Sequence, residues 1–206
     1  MKKLIFIAVI ILFTVTNCKN KNKDCCKNPE NSKVTATTNK SISIFDLPST
    51  WTTQNNQQVQ LNELKQKVIV MAMIFTNCPS ACPRIVADIK QIDEQIPKNQ
   101  KENVHFILVS MDPERDTAQQ LLAFATEQQL DLKRWTLLHG NESDVLDLAG
   151  ALNVRILKQK DNTFDHSNII SIINNKGNIV YQQNGLGADA TTTLQTIQQL
   201  LDDKNE

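Results

Sequence analysis

Val68-Ile69-Val70-Met71-Ala72-Met73-Ile74-Phe75-Thr76-Asn77-Cys78-Pro79-Ser80-Ala81-Cys82-Pro83 is the stretch from which the rest of the chain can be read. Its first eight residues are apolar without a break. Alternation would mark a strand wet on one face. A continuous run of this length predicts a strand buried on both faces, as in a parallel or mixed sheet covered by helices. Two cysteines follow at once, four residues apart. Behind them Ile85, Ile89, Ile92 and Ile96 recur at helical spacing, which predicts a helix with one apolar face. The cysteines therefore stand where a buried strand turns into a helix.

Working outward, residues 104–109 (Val-His-Phe-Ile-Leu-Val) read as the next buried strand. Asp116-Thr117 caps a helix carrying Leu121, Leu122 and Phe124, with Gln119 or Gln120 placed to complete a capping box. Residues 135–138 make a short strand, and Val145, Leu146 and Leu148 lie on a short helix that ends at Gly150. Residues 169–173, a turn at 174–177 and residues 179–181 form a hairpin. The chain closes on a helix with Leu194, Ile197, Leu200 and Leu201. Upstream of the cysteines, residues 45–64 mix apolar points (Trp51, Val59, Leu61) with polar turns, as a hairpin leading into the core would. Residues 157–163 give no signal. The order β-α-β-α-β-α-β-β-α is α/β and thioredoxin-like: a central mixed sheet flanked by helices, with an N-terminal hairpin extension.

This domain takes residues 42–206 of the 206-residue chain. Residues 1–17 read as a lipoprotein-type export signal, with Lys2 and Lys3 before an apolar run at 4–13 and a short polar end before Cys18. The run is about half the ~20 residues that a spanning helix needs. Cys18 is placed for lipid attachment, although Asn17 stands where a small residue is usual. Residues 18–41 are a polar tether. Six Lys and five Asn at 19–40 leave too little apolar surface to offset ordering. Cys25 and Cys26 inside it are either incidental thiols or a metal-collecting or thiol-exchange pair. The formal net charge is zero, and no Lys/Arg cluster is interleaved with aromatics, which excludes nucleic acid as a natural partner. The predicted location is extracytoplasmic and membrane-anchored, where disulfides persist.

Cys78 and Cys82, one helical turn apart, face the same side. Free N–H groups and the positive end of the helix dipole favour a thiolate there, and a thiolate is both nucleophile and metal ligand. Pro83 lacks an N–H, which costs nothing in a first turn. A structural disulfide is the alternative, but such a bridge rarely sits at a strand-to-helix mouth with both sulfurs facing solvent. Of the three histidines, His105 lies mid-strand and reads as packed, and His139 follows a strand as a loop residue. His166 directly precedes the hairpin strand that begins at Ile169. In thioredoxin-like folds this segment faces the cysteines and usually carries a cis-proline, whereas this chain has no proline after Pro113. Asp112 and Arg115 read as a charged turn beside a helix cap, with a supporting role near a metal as the alternative.

Three segments carry a family resemblance: residues 75–83 (Phe-Thr-Asn-Cys-Pro-Ser-Ala-Cys-Pro), residues 110–117 (Ser-Met-Asp-Pro-Glu-Arg-Asp-Thr) and Asp165-His166-Ser167. In this order they resemble the signature of the Sco (SenC) family of copper proteins involved in cytochrome c oxidase assembly, across roughly residues 45–203. The resemblance implies one copper per domain, held by Cys78, Cys82 and His166. Soft thiolates suit Cu(I), imidazole also serves Cu(II), and structural zinc would want a fourth ligand. It further implies a metallochaperone. Its partner would be the copper-centre subunit of a terminal oxidase or another extracytoplasmic copper protein. A thiol–disulfide oxidoreductase using the same Cys78–Cys82 pair, oxidised to a disulfide in its cycle, remains the alternative. A thiol peroxidase is a third reading, against which the cysteine spacing and His166 count.

Overall fold

The apolar run of residues 68–75 sits where it should, in the middle of a mixed sheet. The computed structural model describes residues 43–65, 67–160 and 163–203, all within one compact unit of residues 39–206. The export signal, the tether and Cys18, Cys25 and Cys26 lie outside the described residues.

In chain order the strands are β1 (Trp51–Thr53), β2 (Gln58–Val59), β3 (Val68–Ile74), β4 (Val104–Ser110), β5 (Trp135–His139), β6 (Ile156–Lys158), β7 (Phe164–His166), β8 (Ile169–Ile173) and β9 (Ile179–Asn184). The helices are α1 (Ala81–Gln95), α2 (Ala118–Glu127), α3 (Glu142–Ala151) and α4 (Thr191–Asp202). Seven strands form one sheet in the order β2-β1-β5-β4-β3-β8-β9. β3 pairs parallel to β4 and antiparallel to β8, and β4 pairs parallel to β5. Every residue of β3, β4 and β8 is buried. An unalternated apolar strand needs such a place, covered on both faces. The thioredoxin-like core is present, a β3-α1-β4 crossover followed by the β8–β9 hairpin and α4.

The N-terminal extension is also as expected. β1 and β2 form a hairpin with Trp51 opposite Val59, and β1 docks antiparallel on β5. Trp51 is fully buried, and its Nε1–H donates to Ser49 Oγ at 2.9 Å. The box that caps α2 uses Gln120 rather than Gln119: Thr117 Oγ1 accepts the Gln120 N–H, and the Gln120 side chain accepts the Thr117 N–H. One element was not legible. β6 and β7 pair with each other as a separate two-stranded sheet, with Ile156 opposite His166. Residues 157 and 158 are therefore strand, and His166 is the last residue of β7, just before β8.

Candidate metal centre

β3 ends at Ile74, and the chain turns where Cys78 N–H donates to Phe75 O at 3.2 Å. α1 then starts at Ala81, with Ser80 at the capping position and no capping bond from its side chain. Cys78 supplies one instead: its Sγ accepts the Cys82 N–H at 3.3 Å. Pro83 brings no N–H, so the first turn leaves few donors, and one of them is spent on sulfur. Cys82 Sγ in turn accepts the Phe75 N–H at 3.5 Å. The two sulfurs are held as hydrogen-bond acceptors at the strand-to-helix junction, as the spacing foretold. Both cysteines are free thiols.

Their exposure differs from expectation. Cys82 is wholly enclosed and Cys78 is 9% exposed, so the sulfurs do not both face solvent. The loop folds back until the Cys82 sulfur lies against the Phe75 backbone. Burial pushes the Cys82 thiol far above the usual cysteine range and outweighs the Phe75 N–H, which favours the thiolate. Cys78 and the nearby Asp116 push in the same direction as burial. Burial thus favours the protonated thiol of Cys82, and metal binding or disulfide formation must release its proton to solvent or a base.

Asp116 is the residue whose role sequence reasoning missed. It is 1% exposed. Its Oδ2 accepts the Thr76 N–H at 3.0 Å and the Ser110 Oγ–H at 2.6 Å, and its Oδ1 accepts the Thr76 Oγ–H at 2.5 Å. Three hydrogen bonds and the N-terminal end of α2 compensate the buried charge. Asp116 thus ties the end of β4 and the start of α2 to the loop that carries Cys78. The sequence reading made it part of the cap, and Thr117 does that alone. Asp112 and Arg115 form the expected charged turn, with Arg115 Nε donating to Asp112 Oδ2.

The histidines separate as follows. His105 lies in β4 opposite Ile69, five residues along β3 from Ile74, or roughly 16 Å at ~3.3 Å per residue. It is buried, bonds Thr136 Oγ1 through Nε2 at 2.8 Å, and its pKa is lowered to about 4, chiefly by burial and then by Lys67 and Arg134. His139 is the last residue of β5 rather than a loop residue, half-buried, with its pKa lowered by burial against the raising effect of Asp116. His166, half-buried, packs edge-on against the Phe75 ring, with centroids 6.0 Å apart at 83°, and Phe164 tilts on the same ring at 5.1 Å. Among the described residues no three His, Cys, Asp or Glu side chains stand together as a finished metal cage. The structure brings Cys78 and Cys82 together, and Phe75 meets both groups, its N–H on Cys82 Sγ and its ring on the His166 imidazole. That role of Phe75, the last residue of the apolar run, had no signal beyond its position.

Fold and site together define a thioredoxin-like protein with a paired-thiol centre at the start of α1. The profile of the SCO1/SenC family matches residues 38–202, and the chain belongs to that family. It is 28% identical over 142 residues to the SCO1 protein homolog of Bacillus subtilis, covering 68% of this chain and 73% of that one. Among solved structures it resembles Arabidopsis thaliana ScoI with copper bound, at TM-score 0.67 and 22% identity, covering 77% of this chain and 99% of that one. It also resembles BsSco, described as having a disulfide switch and as a member of the Sco family of cytochrome c oxidase assembly proteins. That match has TM-score 0.67 and 24% identity and covers 79% of this chain and 96% of that one. At these identities the two structures share the fold.

Proposed function

We propose that this chain carries copper as cargo on Cys78, Cys82 and His166 and passes it to an extracytoplasmic acceptor, the copper-centre subunit of a cytochrome c oxidase or another copper protein. The carrying observation is the pair of sulfurs held by backbone N–H groups at the start of α1, with His166 packed on the ring of Phe75, whose own N–H donates to Cys82 Sγ. Two soft sulfurs and one imidazole suit three-coordinate Cu(I). His166 stands on the β6–β7 hairpin, outside the main sheet, so that hairpin can bring the imidazole to the sulfurs without breaking a ladder of the seven-stranded sheet. An imidazole on a separate hairpin is also a ligand that an acceptor can replace. The copper-bound Arabidopsis relative supports the choice of metal. We further propose export and anchoring through a lipid on Cys18. The intact mass of the mature chain checks this, and an unmodified Cys18 overturns it.

The adjacent sulfurs also favour a second reading, a thiol–disulfide reductase. One Cys thiolate would attack a target disulfide, and the other would resolve the mixed disulfide. The target gains two electrons and two protons, and the chain is left with a Cys78–Cys82 bond. The metal reading requires His166 and this one does not. Titrating the reduced protein with Cu(I) against a chelator should give one copper per chain. His166→Ala should weaken binding about tenfold or more, a loss of about 1.4 kcal/mol or more. His139→Ala should leave it unchanged, and Cys78→Ser should abolish it. Unimpaired Cu(I) binding by His166→Ala, with full oxidase activity in cells at limiting copper, would replace the carrier with the reductase.

A further inference from the structure

A groove of about 350 Å³ opens beside the metal centre, outside the residues assigned to copper. Val145 and Leu146 of α3, Ile156 of β6 and Phe164 of β7 give it an apolar floor. Leu146 is 55% exposed, so the apolar surface continues onto the rim. A solvent-facing leucine next to a cavity of this size marks a binding surface more often than chance exposure does. The groove meets the centre through two of its lining residues: Phe164 packs on Phe75, and Ile156 stands opposite His166 across β6–β7.

Its charge is one-sided. Asp112, Glu114 and Glu142 line it, against Lys158 as the lining cation. Lys158 is engaged by Glu114 at 2.5 Å, while among the described residues no ion pair engages Glu142. Asp112 is 1% exposed; Arg115 takes its Oδ2, and its Oδ1 has no hydrogen-bond partner. Asp112 and Glu114 each have a cation partner, so Glu142 is the lining carboxylate that carries the unbalanced negative charge.

We propose that this groove docks a segment of a partner protein in which an apolar side chain is flanked by Lys or Arg. The apolar side chain fills the floor, and the cations meet Glu142 on the rim. A second copy of this chain fits poorly, because a two-fold contact would set the acidic rims face to face. An anionic lipid surface is repelled by the same rim. Given the copper reading, the partner is the acceptor, held against Ile156, the cross-strand neighbour of His166. The groove itself stands without that reading.

The test uses the full chain in detergent and two synthetic peptides of about ten residues sharing one Ile-Phe pair, flanked by lysines or by glutamates. Binding by fluorescence anisotropy should favour the lysine peptide at least tenfold. Glu142→Lys should abolish that preference, and Leu146→Ser should weaken both peptides. Glu127→Lys, an exposed acid at the end of α2, should change neither. Cu(I) affinity by chelator competition should be the same in all variants. Equal binding of the two peptides, or an equal effect of Glu127→Lys and Glu142→Lys, would overturn the groove as the site. So would loss of Cu(I) affinity in Leu146→Ser, which would make this surface part of the metal centre. Peptide selectivity in a chain that binds no copper would sustain the groove and defeat the copper reading instead.

Discussion

Asp116 sets the geometry of the cysteine loop by accepting two hydrogen bonds from Thr76 and one from Ser110. Removing a buried acceptor strands its donors, at about 1–3 kcal/mol for such groups and more when the lost partner is charged. Asp116→Ala should therefore lower stability in urea by about 3 kcal/mol and also weaken Cu(I) binding, because Thr76 lies two residues before Cys78. Asp116→Asn should cost less stability: its carbonyl can still accept from Thr76 N–H and Ser110 Oγ–H, while its NH2 meets the Thr76 hydroxyl, which can turn to accept. Wild-type stability in Asp116→Ala would mean that the loop is held elsewhere. At this scale the cysteine pair was legible because four-residue spacing is a local, helical property. Asp116 was not: three acids stand in residues 112–116, and no spacing rule tells which one reaches back across 40 residues.

The elements are fixed by contacts at both ends of the sheet. Away from the cysteines, the β8–β9 turn holds Gly177 at φ +81. Its carbonyl accepts the Ile44 N–H at 2.9 Å, and Ser43 Oγ donates to Lys176 O at 2.7 Å. A Cβ on Gly177 would stand 2.2 Å from Ser43 Oγ and 2.6 Å from the Phe45 ring. Gly177→Ala thus combines a left-handed backbone with a clash and should destabilise by about 1–3 kcal/mol in chemical denaturation. Cu(I) affinity should stay unchanged, since β3 separates this turn from the metal centre. A matching loss of copper affinity would show that the two ends of the sheet are coupled. The 3-10 turn Ile44–Asp46 that meets Gly177 had no sequence signal, because its partner lies over 130 residues downstream.

Over the whole molecule, one titration should show in the pH dependence of stability. His105 titrates near 6.5 in the unfolded chain and at about 4 in the folded one. Between those values the unfolded chain holds a proton that the folded chain refuses. Stability is therefore full above pH 6.5 and falls as the pH drops toward 4, by about 3 kcal/mol at most at ~1.4 kcal/mol per unit. Its buried, unpartnered Nδ1 is consistent with a neutral ring. Denaturation curves across this range should be flatter for His105→Gln, which can still reach Thr136. The same slope in the variant would mean that other groups carry the acid response.

The sequence by itself determined the elements whose causes are local. An unbroken apolar strand had to be central, Ile85, Ile89, Ile92 and Ile96 had to face a core, and Thr117 with Gln119 or Gln120 had to cap α2. The cysteines had to lie one turn apart, and the order of elements then allowed few arrangements. Tertiary structure alone decided what depends on distant groups meeting. It buried Cys82 and favoured its protonated thiol where the helix start by itself argued for a thiolate, because desolvation outweighs a dipole and one N–H. It put His166 on a separate two-stranded sheet against Phe75, bound Asp116 to the cysteine loop, and gathered an acidic, apolar groove from four segments of chain. Burial, field and long-range pairing arise from groups far apart in sequence, and no local pattern of residues records them.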